Sequence, residues 1–352
     1  MKQYPLPVLA FGLTLTFTTF TTAAAAPVFQ DHGQQAWAIS LDNDLFSPTH
    51  TDRDFTAGLA LTYSGRQGLH YWQGFDSALG SLDNLYGLHE GHSDQALLLP
   101  SIEFGIYGFT PDKIESPAVI ADDRPYASLM YLSASRTYRA GPDADAWTTS
   151  LTLGVLGLSA FEEAQNTVHR AIGSDQALGW DHQISQGGEL TARYQVAYHH
   201  FWNPASPSLQ FKTTYFGSVG YLTEAGIALS TREGRISSPD YRFNPELIAY
   251  GERVNDVADT PFGGRENYFW GGVSLKARAY NAFLQGQFRH SDHTFTAGQL
   301  RPVLAEAWIG YTASFSPALK LSYVLRAQSS EIRDGAGDRS LVWGGFVLSQ
   351  SL

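Results

Sequence analysis

The sequence SAFEEAQNTVHRAIGSDQALGWD at residues 159–181 places His169 and Asp175 on either side of a glycine. A histidine in the last turn of a helix is favoured in its protonated form by the helix macrodipole. A carboxylate on the other ring nitrogen would fix the tautomer and stabilise the imidazolium as it takes up a proton. That is the chemistry of a general base, although a structural or exposed histidine can have the same spacing. A second group is Asp42-Asn43-Asp44. Carboxylate and amide oxygens are hard ligands that suit calcium, and the Asn43 amide N–H equally suits a developing oxyanion. Asp and Asn also end strands by ordinary turn chemistry. A third candidate is Thr56 in TDRDFTAG (51–58), which opens a strand after an acidic turn; taken alone, it reads as a strand former.

Other polar residues carry less. Lys113 lies in a loop marked by Pro111, Pro117 and Pro125, and Asp122-Asp123-Arg124 reads as a turn with local ion pairing. His290, Asp292 and His293 have ligand-like spacing in a predicted loop. The chain has no G-x-S-x-G elbow, H-E-x-x-H pair or phosphate loop, so serine hydrolase, zincin and nucleotide chemistry have no support.

The elements that must position these residues are mostly strands. Phe161, Ala164, Val168 and Ile172 recur at helical spacing, with a capping-box pair Ser159 and Glu162 before them and Gly173 as the stop. This predicts one helix in an otherwise alternating chain. Strands are predicted at 36–42, 55–64, 97–109, 126–138, 147–157, 189–202, 209–221, 222–231, 268–280, 281–290, 303–315, 319–329 and 340–352. Several are long enough to cross a bilayer at a tilt, and an even-numbered antiparallel barrel of about twelve strands accommodates them. The longest polar interruption, 233–264, is predicted to be an external loop. The aromatic groups Tyr268-Phe269-Trp270 and Tyr198 with Trp202 suit interfacial belts. Alternation by itself is equally compatible with a soluble β-sandwich.

Composition agrees with a barrel: aromatics reach 13% while charged residues are only 16%, the balance of many strands with aromatic girdles. A net charge of −11 with no long basic run argues against nucleic-acid binding. The absence of cysteine excludes disulfides and thiol chemistry. Lys2, the uncharged run 6–22 and the small residues 23–26 read as a secretory signal over 1–25, leaving 26–352 as one exported β-barrel unit that, if it spans a membrane, does so as strands. No later stretch approaches the ~20 apolar residues of a membrane helix.

Four segments in this order, ISLDNDLF (39–46), TDRDFTAGL (51–59), DDRPYASLMYL (122–132) and LGVLGLSAFEEAQNTVHRAIGSDQALGWDHQI (153–184), resemble the outer-membrane lipid A 3′-O-deacylase family, LpxR. The resemblance runs over essentially the whole mature chain. It implies a twelve-stranded transmembrane barrel with a short helix packed at the active site. The implied activity is a calcium-dependent ester hydrolysis that removes the 3′-linked acyloxyacyl chain of lipid A. By position, His169 matches the proposed base, Asn43 and Asp44 the Asn-Asp pair with Asp44 on calcium, and Thr56 a functional hydroxyl. Lys113 falls within one residue of a functional lysine, and Lys113 and Arg124 are the cations placed to meet an anionic lipid. The implied partners are lipopolysaccharide and outer-membrane lipids; a closed barrel has no edge that demands a partner, so a monomer is expected. Two positions depart from the pattern: Asp175 stands where a glutamate is expected and Ala177 where a tyrosine is. The alternatives are a lipid esterase acting on phospholipids, a barrel serving as pore or scaffold, and a soluble periplasmic β-protein that binds an apolar ligand.

Overall fold

The computed structural model describes residues 35–48, 53–65, 72–85, 87, 100–141, 144–202, 208–254 and 264–352. The signal segment, Thr51 and Asp52 lie outside these residues. The described residues form a closed antiparallel barrel of twelve strands. These are β1 (Ala36–Asn43), β2 (Asp54–Ser64), β3 (Ser101–Thr110), β4 (Ala127–Arg139), β5 (Ala146–Leu156) and β6 (Glu189–Trp202), followed by β7 (Leu209–Gly220), β8 (Leu222–Arg235), β9 (Asn267–Asn281), β10 (Val303–Ser314), β11 (Leu319–Gln328) and β12 (Leu341–Ser351). β12 pairs with β1, from Ala36 opposite Ser351 to Asn43 opposite Gly344, so no edge is left open.

The alternation along each strand divides polar from apolar in the sense opposite to a soluble barrel. Large apolar residues such as Ile39, Leu59, Val219, Leu229, Val273 and Ile309 stand exposed on the outer wall. A continuous apolar exterior on this scale is tolerated in lipid and not in water. Among the described residues no helix is long and apolar enough to cross a membrane. The aromatic belt is narrower than expected. Phe269 and Trp202 face outward, whereas Tyr268 and Trp270 turn into the lumen and pack with Phe243.

Three expectations about the connections are corrected. Residues 281–290 are not a strand: β9 ends at Asn281, whose side chain caps the short helix Ala282–Gln285, and this accounts for a predicted count above twelve. A second helix, α1 (Gln73–Leu85), precedes β3. Its two glycines and two serines weaken the helical signal, yet Phe75, Leu79 and Leu82 recur at spacings of four and three and pack on Ala134, Leu151 and Tyr194 of the outer wall. Most consequential is the segment between β8 and β9. It leaves from the end that holds the chain termini, and residues 240–254 fold into the lumen instead of hanging outside. The physical cause is charge. The lumenal strand faces carry Asp42, Arg193 and Lys212, and a buried ion needs a partner. The inserted segment supplies them: Arg253 Nη2 lies 2.5 Å from Asp42, Glu252 3.3 Å from Arg193 and Glu246 2.8 Å from Lys212. Tyr250 joins Phe55, Tyr107, Phe109 and Phe283 in an aromatic core that fills the lumen towards the other end.

Candidate active site

The site grows from the ends of three neighbouring strands. On β1, Trp37, Ile39 and Leu41 face outward, so Asn43 shares their side and Asp42 faces the lumen. The chain then enters a 3-10 turn, Asp44–Phe46, which Asn43 caps: its Oδ1 accepts the Leu45 N–H at 2.7 Å. The Asn43 amide nitrogen donates to the Thr56 carbonyl. Asp44 is buried, and its Oδ2 accepts the Arg53 N–H at 2.5 Å. β2 opens on Asp54 with φ of 70°, a left-handed conformation that costs a non-glycine residue energy. A register shift between Phe55 and Ala57 inserts Thr56 as an extra residue. Phe55 therefore packs in the lumen, while the Thr56 hydroxyl meets that of Thr110 at 2.5 Å on the outer side. Asn43, Thr56 and Thr110 thus lie across β1, β2 and β3 on one outward face.

Helix α2 (Ala160–Ile172) covers this wall. Phe161 lies directly over Gly108 of β3, where a Cβ would come within 2.6 Å of its ring. Phe161 also packs on Trp180 at 5.0 Å between ring centroids, within a cluster that includes Ile114, Tyr126 and Ala177. Gly108→Val would push the helix off the wall. We expect about a 10²-fold loss of activity with the barrel still folded, because a shift of about 1 Å at a reacting group has that effect. Steady-state rates on refolded protein check it.

Phe161, Gln165 and His169 follow at four-residue spacing along one side of α2, and all three are buried. The helix ends at Gly173 in the left-handed conformation, its N–H bonding to the His169 carbonyl. The predicted capping box at the other end is not made: Ser159 has helical dihedrals and forms no side-chain cap. After Gly173 the chain folds back along the helix and is pinned on both sides. The Asn166 amide donates to the Ala177 carbonyl at 3.0 Å and accepts the Ala177 N–H at 2.9 Å. Leu178 N–H bonds to the Ile114 carbonyl at 2.9 Å.

This return segment sets the state of His169. Its Nδ1 lies 2.5 Å from the main-chain carbonyl of Asp175. A carbonyl only accepts, so Nδ1 carries the hydrogen and the basic lone pair is on Nε2. Gln165 Oε1 accepts the Trp180 indole N–H at 2.8 Å, which turns the Gln165 amide nitrogen towards His169 Nε2 at 3.5 Å. Partial burial raises the carboxyl pKa of nearby Glu162, and Asp181 and Glu163 raise it further.

The structure places His169 and the return segment on α2 and Asn43, Asp44 and Thr56 at the adjoining ends of β1 and β2, and it changes two expected contacts. Asp175 meets His169 through its carbonyl, and its side chain is exposed. The loss of one methylene relative to glutamate is therefore immaterial to the contact observed. We expect Asp175→Ala to stay within about 0.5 kcal/mol, roughly twofold in kcat/KM, as for an exposed side chain; a loss of two orders of magnitude would restore the carboxylate to the catalytic role. Arg124 does not face a substrate. It is buried between Glu331 and Asp54 with its guanidinium 4.8 Å from the Phe109 ring centroid. Lys113 is exposed beside Ile114. Ala177 is fully buried, so this position presents nothing outward. His182 pairs with Asp292 at 2.6 Å, and His293 bonds to the Asp123 carbonyl at 3.2 Å. Sequence reasoning missed the roles of Gln165, Asn166, Trp180 and Thr110; the Gln-Asn pair and the following Trp were the available signal.

Among the described residues the wall offers hard oxygen donors, namely the Asp44 carboxylate, the Thr56 and Thr110 hydroxyls and main-chain carbonyls, while Asn43 Oδ1 is engaged in its cap. That chemistry fits calcium. Among the described residues no group of three or more His, Cys, Asp or Glu gathers to hold a metal, so Asp44 would be the chief protein anchor and water would complete the coordination.

The family model for the outer membrane protein LpxR matches residues 9–352. The structure is similar to LpxR from Salmonella typhimurium, with a TM-score of 0.69 and 19% identity over 90% of this chain and 99% of that one. It is more distantly similar to an outer membrane channel from Pseudomonas putida F1, at a TM-score of 0.44, 9% identity and coverage of 93% and 97%. The KdgM porin matches at 0.38 with 6% identity, covering 90% and 99%. No curated protein matches the sequence.

Proposed function

Because this chain belongs to the LpxR family of outer membrane proteins, we propose that it is a lipid A deacylase that hydrolyses the ester of the 3′-linked acyloxyacyl chain. The observation that carries this reading is His169, buried on a helix clamped to the outward barrel wall, with Nδ1–H on the Asp175 carbonyl and Nε2 as its basic atom. A site on the outside of the wall is reached from the lipid, and that suits an acyl ester whose chains stay in the bilayer.

In the proposed reaction, His169 Nε2 takes a proton from water as the water oxygen attacks the ester carbonyl. The imidazolium is stabilised by the Asp175 carbonyl and by the C-terminal end of α2. An amide carries two N–H donors; one from Asn43 holds the Thr56 carbonyl, and the other is assigned to the oxyanion. His169 then returns the proton to the departing sugar oxygen as the acyl–oxygen bond breaks. Calcium, held through Asp44, would supply Lewis-acid stabilisation of the same oxygen. Lys113 is proposed to meet the anionic headgroup.

The test is mass spectrometry of lipid A and phospholipids from cells that express the wild type or His169→Ala, with and without calcium. Loss of the 3′ acyloxyacyl mass in the wild type alone supports the reading. Release of fatty acid only from phospholipids would make the protein a phospholipid esterase, and no release from either would end the hydrolase proposal. A pore gains nothing from a lumen filled by residues 240–254.

A further inference from the structure

The loop that carries Asn43 and Asp44 begins and ends on a buried carboxylate, Asp42 and Asp54, and arginines hold both. At its first foot, Asp42 is buried and gripped at two points by Arg253 of the inserted segment, Nη2 to Oδ1 at 2.5 Å and Nε to Oδ2 at 3.1 Å. Arg253 is fixed in turn, since its backbone N–H bonds to Glu103 Oε1 at 2.8 Å. The fit is close, because a Cβ on Gly345 of β12 would come within 2.2 Å of Asp42 Oδ1. At the second foot, Asp54 takes Arg339 Nε at 2.8 Å and has Arg124 Nε at 3.6 Å. The residue before it, Arg53, gives Asp44 its main-chain N–H. The residue after Asp42 is Asn43. Each foot is therefore adjacent in the chain to a group that orients the site, and at the first foot the two side chains lie on opposite sides of the wall.

We propose that the lumenal segment is the positioning device of the outer-wall site, with Arg253 as its chief positioning residue, and that Arg339, from the connection before β12, holds the second foot. A β-strand sends successive side chains to opposite faces. Fixing the inward Asp42 therefore fixes where the outward Asn43 points, and a two-point guanidinium–carboxylate contact restrains rotation as well as distance. At the other foot, the left-handed Asp54 is a conformation the surroundings must enforce, and Arg339 and Arg124 are placed to do so. The insertion of residues 240–254 then has a role that neither a pore nor an inert scaffold would need. The inference rests on the deacylase reading for its kinetic readout only.

The test compares Arg253→Met, Arg253→Lys and Lys276→Met with the wild type, each first shown to be a folded barrel by heat-modifiable electrophoretic mobility. Lys276 is a buried lumenal cation paired with Glu306 at 2.9 Å, and Arg326 keeps Glu306 partnered when it is removed. Arg253→Met is expected to lower kcat about 10²-fold, the effect of a displacement of about 1 Å, with KM within about twofold. The peptide 43–48 is expected to exchange its amide hydrogens faster in the same variant. Arg253→Lys keeps the charge and loses the second contact, so it should recover part of kcat, and it carries the test should Arg253→Met not fold. Lys276→Met should leave kcat and exchange at 43–48 unchanged. Unchanged kcat and exchange in both Arg253 variants, or equal losses in Lys276→Met, would overturn the proposal. If the wild type released no acyl chain, the deacylase reading would fail, and exchange at 43–48 would decide the positioning role by itself.

Discussion

Replacing His169 by alanine is expected to reduce acyl release from lipid A by about 10³-fold, within the range contributed by a positioned general base. The loss should appear in kcat and kcat/KM together, because proton transfer occurs only in the transition state. His169 reaches its neighbours through both ring nitrogens, so the choice of substituent is informative. Asparagine puts its amide nitrogen where Nδ1 lies and can approximate the contact to the Asp175 carbonyl but has no comparable base, and it should be as inactive as alanine while disturbing the return segment less. Purified protein in detergent with lipid A as substrate gives the rates, and heat-modifiable mobility shows that the barrel is intact. A variant retaining a tenth or more of the wild-type kcat would remove His169 from the role of base.

The second large effect concerns the barrel itself. Glu331, in the connection between β11 and β12, is buried between Arg124 and Arg278; it also accepts from the Tyr250 hydroxyl at 2.7 Å and the Asn281 amide at 3.0 Å. Burial would push its carboxyl up, but Arg124 and Arg278 outweigh burial and hold it at about 2. Glu331→Leu leaves two buried guanidinium groups short of a partner, and removing one member of such a cluster costs about 3–5 kcal/mol. The melting temperature of the folded form, followed by electrophoretic mobility, should fall accordingly. The same residue gives a pH dependence of definite sign. A carboxyl whose folded pKa is depressed contributes stability that is fully present above its unfolded value of about 4.3 and is lost as the pH falls towards 2. That contribution is on the order of 3 kcal/mol. The wild type should therefore lose stability between those pH values, and Glu331→Leu should lose less over the same interval. Parallel pH profiles would refute the assignment.

Arg124 shows why the sequence misled at one position. In DDRPYASL it reads as a rim cation placed for an anionic lipid, but its partners Glu331 and Asp54 come from a connection and a strand far away in sequence. Charges on a chain do not announce which side of a barrel they will face. Asp175 is a subtler case. A carboxylate following the helix was the natural partner for His169, yet the contact is made by the backbone, whose path depends on Asn166, Ile114 and Trp180 acting together. No residue type at position 175 encodes it.

What the sequence determined unaided rests on periodicity and local motifs. Period-two alternation located the strands, and helical spacing with Gly173 located α2. The segments at 39–46 and 153–184 identified the family, and the resemblance nominated His169, Asn43 and Asp44 as candidates. The long polar stretch after β8 has no apolar period to direct it, and local reasoning sends such a stretch into solvent. Only the closed barrel creates a lumen lined with Asp42, Arg193 and Lys212, and those charges draw Arg253, Glu252 and Glu246 inside. Tertiary structure alone also decided that His169 lies outside the wall while Arg253, on Asp42, lies within, because the two faces of a strand are distinguished only once the sheet has closed.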